Sequence, residues 1–383
     1  MTHQRVYLDY AATTPLDPGV LEKMLPYFSE KFGNPSSIHS WGQQAEAALE
    51  NAREQVAGLL GCSPKEVIFT SCGSESDNLA VRGATMRASQ QRGARHILYS
   101  PVEHHAVSRT VEQLVKLHGF EGETLPVDPY GLIAPEELAR RIRPDTALVS
   151  IIYANNEIGS TNPVQELARV CRSAGVPFHT DAVQAASYLS TNVQELEVDL
   201  MSLGAHKFYG PKGVGVLYVR SGTPLIPLQT GGSQEFGLRA GTQNIPYIIG
   251  FAAALELAVT RRENRTRQVL PLRDRLVGQV LEAIPDAALT GHASKRLPNH
   301  ASFVFKNVDG NALLMHLDLA GFACSSGSAC KTGSPEPSDV LTAIGLERDW
   351  ALGSLRVTLG KDSTPEEVEA FTQALPALVA KLR

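Results

Sequence analysis

Three pieces decide the fold: TALVSII at 146–152, VQELARVCRSA at 164–174 and VPFHTD at 176–181. The first and third are apolar runs of strand length. Between them Val164, Leu167, Ala168 and Cys171 recur at helical spacing, and Gly175 supplies a stop at the helix end. Two strands joined through a helix lie parallel in one sheet. Runs of the same kind stand at EVIFT (66–70), RHILYS (95–100), VDLMSL (198–203) and GVLYV (215–219). The alternation predicts an α/β fold with a mainly parallel sheet covered by helices on both faces. Beyond about residue 260 the texture changes. RRENRTRQVLPLRDR (261–275) predicts a charged, solvent-facing helix, and ASFVF (301–305) and SLRVTL (354–359) predict strands of a smaller α+β unit. A large domain over 15–260 and a small one made of 1–14 and 261–383 are therefore expected.

Composition narrows the function. Of 383 residues, 43% are hydrophobic and 20% charged, as in an ordinary globular protein. With 35 basic against 40 acidic residues the net charge is -5, so no general grip on nucleic acid is expected. The apolar stretch 247–259 is broken by Glu256 and falls short of the ~20 residues a membrane span needs. Arg5 and Asp9 stand where a signal peptide needs an apolar run. Cys62, Cys72, Cys171, Cys324 and Cys330 are too scattered for a disulfide framework and suggest free thiols in a cytoplasmic protein.

In open α/β sheets ligands sit outside the carboxyl ends of the strands, so the chemistry is sought there. After EVIFT comes SCGSESDN (71–78), where Gly73 and Ser74 precede a helical run. Small residues at a helix start leave amides free for a phosphate, although an ordinary N-cap by Ser74 or Ser76 reads equally well. After RHILYS stand His104 and His105; His104 could stack on a ring or move a proton, and adjacent histidines alone make a weak zinc signal. TALVSII runs into Asn155 and Asn156, which suit either a turn or a ligand oxygen. VPFHTD ends in Asp181, a carboxylate that needs a cationic or N–H partner where it is buried. Lysine is scarcer than arginine in this chain, yet Lys207 lies between two strands in an uncharged segment. Desolvation lowers a lysine's pKa and suits it to bond a carbonyl, the ordinary alternative being a stem that snorkels to water. Finally ACSSGSACKTGSPEP (323–337) predicts a mobile loop of small residues, with Lys331 beside Cys330 favouring a thiolate; Cys324, next to GFA, is expected to pack. Lysine, aspartate, phosphate loop and stacking histidine together describe a pocket for pyridoxal 5'-phosphate.

Over nearly its whole length the chain resembles the cysteine desulfurases of the NifS/IscS type, in the class V aminotransferase superfamily of fold-type I pyridoxal phosphate enzymes. The resemblance runs from YLDYAATTP (7–15) and FGNPSS (32–37) through TSCGSESDNLA, NNEIG, HTDAVQ, GAHKFYGPKG, RAGTQN and SSGSAC to LRVTLG (355–360). It implies Lys207 as the lysine bonded to the cofactor and Asp181 as partner of the pyridine nitrogen. His104 would stack on the ring and move protons, and Asn156 and Gln184 would lie by the phenolic oxygen. Gly73, Ser74, Ser202 and His206 would hold the phosphate, and Thr242 the phosphate of a second subunit, which implies a homodimer. Arg356 would clamp the substrate carboxylate, with Asn156 beside it.

Cys330 would be the nucleophile that takes sulfur from L-cysteine as a persulfide, leaving L-alanine. A sulfur-acceptor or iron–sulfur scaffold protein would then receive the sulfur. No resident metal is expected; transient iron–sulfur ligation by Cys330 is the metal role left open. The loop SCGSES stands where relatives often have SGATES, and the chain ends soon after its last helical stretch, PEEVEAFTQALPALVAKLR, where some relatives carry a scaffold-docking tail. A selenocysteine lyase or aminotransferase of the same superfamily, or a non-catalytic sulfur-transfer scaffold, would share the fold. The cysteine at 330 distinguishes the desulfurase from the first two, and the intact catalytic set distinguishes it from the third.

Overall fold

A computed structural model describes residues 5–327 and 336–383. Among them, seven strands form one sheet in the order Val67–Thr70, Gly215–Val219, Leu200–Gly204, Phe178–Asp181, Thr146–Ser150, His96–Tyr99, Glu121–Thr124. The last five are parallel neighbours, while Gly215–Val219 runs antiparallel to both strands beside it. Six of the seven are the apolar runs read from the sequence. Glu121–Thr124 (EGET) has no apolar signal, because it is an edge strand with three exposed residues. The helix Val164–Ser173 buries Val164, Leu167, Ala168 and Cys171, and Gly175 follows with φ of 68°.

Two long helices cover the sheet: Ser40–Leu60 packs against the apolar helix Ile245–Thr260 on one face, and Gly73–Arg92 crosses the other. A second hydrophobic core lies beyond residue 260. It is built on an antiparallel sheet ordered Ser354–Thr358, His300–Phe305, Ala287–Leu289 and closed by the helices Arg262–Ala283 and Pro365–Ala380. Val6 and Leu8 belong to this core, since Val6–Tyr7 pairs parallel with Phe322–Ala323. The helix expected to face solvent over 261–275 is half-buried instead. Arg265 and Arg273 are buried and donate to the carbonyls of Ser187 and Leu297, so their charges read as surface in the sequence while their stems and heads serve packing. No helix among the described residues is long and apolar enough to cross a membrane.

Candidate active site

The carboxyl ends of the parallel strands open into a cavity of about 240 Å³. Its floor follows from strand geometry. Phe178–Asp181 ends at Asp181, which is 5% exposed and whose Oδ1 accepts the Val183 amide at 2.9 Å. Burial pushes the Asp181 carboxyl up, opposed by His104, that amide and Lys207. Leu200–Gly204 ends in a short 3-10 turn, Ala205–Lys207, that turns Lys207 into the cavity. Lys207 Nζ donates to the carbonyls of Ala11 and Ala12 at 2.6 and 2.7 Å. Burial, helped by the Arg356 charge and opposed by Asp181 and Asp9, lowers its amine to about 8. A lysine so placed is a nucleophile near neutral pH.

The second end of the cavity is a helix start. Gly73–Arg92 begins with Gly73 and Ser74 at the cavity wall, so first-turn amides and the positive end of a 20-residue helix meet there. The cap is Cys72, whose Sγ accepts the Glu75 amide at 3.4 Å; neither Ser74 nor Ser76 caps it. A Cβ at Gly73 would come within 2.6 Å of the Val183 side chain, so glycine lets the helix start close on the floor. His206, lowered to about 4 by burial and then by the Lys207 and Lys212 charges, lines the same end and bonds Thr13 Oγ1 through Nδ1 at 3.1 Å.

His104 caps the helix His105–His118, its Nδ1 accepting the Ala106 amide at 3.1 Å, and its ring reaches the cavity mouth. Desolvation of its inner edge lowers its pKa, opposed by Asp181. Asn156 and Gln184 also line the cavity, and Gln184 Nε2 donates to Ala11 O at 2.9 Å.

The opposite wall comes from far along the chain. Arg356, on the strand Ser354–Thr358, sends Nη1 to Asn156 O at 2.9 Å and Nη2 to Asp9 Oδ1 at 2.8 Å. Asp9 Oδ2 in turn accepts the Ser325 hydroxyl at 2.7 Å. Arg356 Nε is buried with no partner among the described residues, a donor left for a ligand carboxylate.

One expected residue, Ser202, does not line this cavity, and Thr242, expected to serve a second subunit, does not line it either. Ser202 lies in the layer behind it, its hydroxyl at 3.0 Å from His179 Nε2. Gly204, two residues on, brings the strand end within ordinary contact of Gly73. Thr242 is exposed and lies outside the cavity lining. Cys330 falls outside the described residues. Cys324 is half-buried and packs against the second core, where burial raises its thiol.

Sequence reasoning missed several groups that complete the site. The carbonyls of Ala11 and Ala12 and the Asp9 carboxylate come from YLDYAATTP, where no residue had been given a role. Behind the floor, Asp77 and Glu103 are buried and their pKa values are pushed well up by burial, with the Asp181 charge adding to both. Glu103 had its only signal in lying next to His104.

A nucleophilic lysine facing a buried carboxylate, with a helix start for a phosphate and an arginine for a carboxylate, defines an α/β enzyme of the fold-type I pyridoxal phosphate class. The comparisons with known proteins agree. The aminotransferase class-V family profile matches residues 6–371. The chain is 48% identical over 380 residues to the cysteine desulfurase IscS of Dictyoglomus turgidum, covering 99% of this chain and 96% of that protein. It is 45% identical over 381 residues to the cysteine desulfurase IscS of Methanosarcina thermophila, covering 100% and 93%. Among solved structures, a NifS-like protein superposes with a TM-score of 0.91 at 39% identity, covering 99% of this chain and all of that one. The chain belongs to the class-V aminotransferase family, and its cofactor is pyridoxal 5'-phosphate. The residues present fit that cofactor: an amine lowered by burial, a buried carboxylate held by one amide, and a first helical turn open to the cavity.

Proposed function

We propose that this chain is a pyridoxal phosphate-dependent cysteine desulfurase, converting L-cysteine to L-alanine and holding the sulfur as a persulfide on Cys330. The observation that carries the reading is the Lys207 amine, lowered to about 8, set against Asp181 with Arg356 lining the same cavity.

When bound, pyridoxal 5'-phosphate supplies an aldehyde for Lys207 and an electron sink for the pair left at the substrate Cα. Asp181, ionised by contact with a ring N–H, is the group that would keep the pyridine nitrogen protonated. The amides of Gly73 and Ser74 would take the phosphate, with His206 beside them. Ser202, bonded to His179, would support that end from behind. Gln184 and Asn156, which line the cavity, would take the phenolic oxygen. Arg356 takes the substrate carboxylate through Nε, already oriented by Asp9 and Asn156 O. Lys207, as a neutral amine, would take the α-proton. His104 stacks and moves a proton at the mouth. The Cys330 thiolate then forms an S–S bond to the substrate sulfur while the Cβ–S bond breaks; its electron pair goes to carbon, which takes a proton and leaves as L-alanine.

The same reading makes residues 15–260 the cofactor domain and 1–14 with 261–383 the domain that presents Cys330. Exposed Thr242 would serve the phosphate of a second subunit in a homodimer. Cys62, Cys72, Cys171 and Cys324 are free thiols, consistent with a reducing cytoplasm. A sulfur-acceptor or iron–sulfur scaffold protein would take sulfur from Cys330, with transient iron–sulfur ligation there. The deciding experiment is a matched assay of alanine and sulfide from L-cysteine with a thiol reductant, wild type beside Cys330→Ser. Equal yields of both from wild type and neither from the yellow variant are expected; sulfide from the variant at the wild-type rate overturns the role of Cys330.

A further inference from the structure

Glu157 carries no part in the chemistry above, yet it occupies a singular place. Its backbone is fixed from below: its amide donates to Asn155 Oδ1 at 2.8 Å, and Asn155 Nδ2 donates to Val102 O at 2.8 Å. Its neighbour Asn156 gives its carbonyl to Arg356 Nη1. The side chain instead meets Gly327 and Ser338, which lie on either side of Cys330 in the chain.

On the far flank of Cys330, the Ser338 hydroxyl donates to Glu157 Oε2. That hydroxyl also accepts the Val340 and Leu341 amides at 3.1 and 3.4 Å, capping the helix Asp339–Ala343. Its single proton is thus committed to Glu157 while its lone pairs serve the cap. On the near flank stands Gly327. A methyl there would overlap Glu157 Oε2 and touch Ser338 Cβ at 3.5 Å, so the backbone of Gly327 lies directly against the carboxyl. One carboxyl therefore touches residues on both sides of Cys330 in the chain. Glu157 and Gly327 border a larger opening of about 590 Å³, lined also by Asp339, His104 and Arg356.

We propose that Glu157 is a positioning residue for sulfur transfer, its carboxyl tying the Gly327 and Ser338 flanks of the Cys330 stretch to the wall that holds the substrate carboxylate. The proposal rests on the desulfurase reading of Cys330. Its physical basis is entropic. Sulfur transfer needs Cys330 near the substrate sulfur, and fixing both flanks to one point shortens the range the thiol must search. Enclosure pushes the Glu157 carboxyl up to about 7, with Ser338 and Arg356 opposing and Asp339 adding to the rise. Either protonation state accepts the Ser338 proton, so the tie holds across neutral pH.

The test uses the cofactor-loaded protein, with Glu157→Ala, Glu157→Gln and Ser338→Asp beside wild type. Three readouts are followed: the absorbance change on adding L-cysteine, the rate at which Cys330 gains one sulfur by mass, and tryptic cleavage after Lys331, measured with and without cofactor. Losing the hydrogen bond is expected to slow persulfide formation about tenfold in Glu157→Ala and to raise cleavage after Lys331 by a similar factor, with the cysteine-induced absorbance change unaltered. Glu157→Gln keeps an acceptor and should restore both rates to near wild type. Ser338→Asp keeps the helix cap but removes the donor and adds a like charge, so it should slow transfer as Glu157→Ala does even if that variant folds poorly.

Wild-type persulfide and cleavage rates in Glu157→Ala or Ser338→Asp overturn the proposal. So does loss of the absorbance change, which would put Glu157 in the cofactor pocket. A wild type that never gains sulfur on Cys330 overturns the desulfurase reading itself; the cleavage arm then still reports whether the tie exists.

Discussion

The two walls of the cavity are built in opposite ways. The floor, with Asp181, Lys207, Gly73 and Ser74, comes from consecutive strand ends of one parallel sheet and a helix start beside it. The facing wall is assembled from distant pieces: Asp9, Asn156, Ser325 and Arg356 meet through bonds that span as many as 347 residues. The floor is fixed by local geometry, because a buried strand can end in only one place relative to its neighbours. The wall depends on how two hydrophobic cores meet, and on a segment near residue 9 that pairs with a strand from beyond residue 320. Under the proposed function, cofactor chemistry belongs to the floor, while substrate recognition and sulfur transfer belong to the wall.

If the two are separable, variants will part them. Lys207→Ala strikes the floor and should remove turnover by at least ~10²–10⁴-fold and abolish the visible absorbance of the lysine-bound cofactor; retained absorbance would place the bond on another lysine. Phe303 is fully buried on the strand His300–Phe305, whose neighbour carries Arg356. Phe303→Ala should cost about 3–5 kcal/mol of stability by calorimetry or denaturant titration. At temperatures where it stays folded, KM for L-cysteine should suffer more than cofactor retention. Equal damage to both would make the cavity one inseparable unit.

Arg356→Lys loses the planar fork and should raise KM for L-cysteine roughly 10–100-fold, from about 1.5–3 kcal/mol, with cofactor absorbance intact. Asp9→Asn weakens the orientation of that arginine and should cost about 0.5–1.5 kcal/mol, a several-fold rise in KM.

The smallest effect is one of pH on the cofactor-free protein. A neutral amine attacks the aldehyde, and the lowered Lys207 gains that form as pH rises through about 8. The rate of combination with pyridoxal 5'-phosphate should climb through pH 8 and level above about pH 9. A climb continuing to pH 10 would mean an ordinary solvated lysine.

Much of the floor was legible before any coordinates. Apolar runs ending at Asp181 and just before Lys207 told where the sheet stops, and the helix spacing of 164–174 told that its strands run parallel. The legible part shares one physical cause: periodicity over a few residues, which burial on two faces of a sheet writes into the chain. Expectations parted from the structure where one residue's direction mattered. Ser202 stops short of the cavity, its hydroxyl engaged by the buried His179, and the charged run at 261–275 buries Arg265 and Arg273 because amphipathic stems read as surface by composition alone.

Sequence by itself determined the class of fold, the lysine and carboxylate of the floor, and the cysteine expected to carry sulfur. Tertiary structure alone decided that Asp9 orients Arg356, that carbonyls of Ala11 and Ala12 hold the Lys207 amine, and that Glu157 touches both flanks of the Cys330 stretch. Those contacts join residues with no periodic relation, and only the packing of two cores brings them within hydrogen-bond reach.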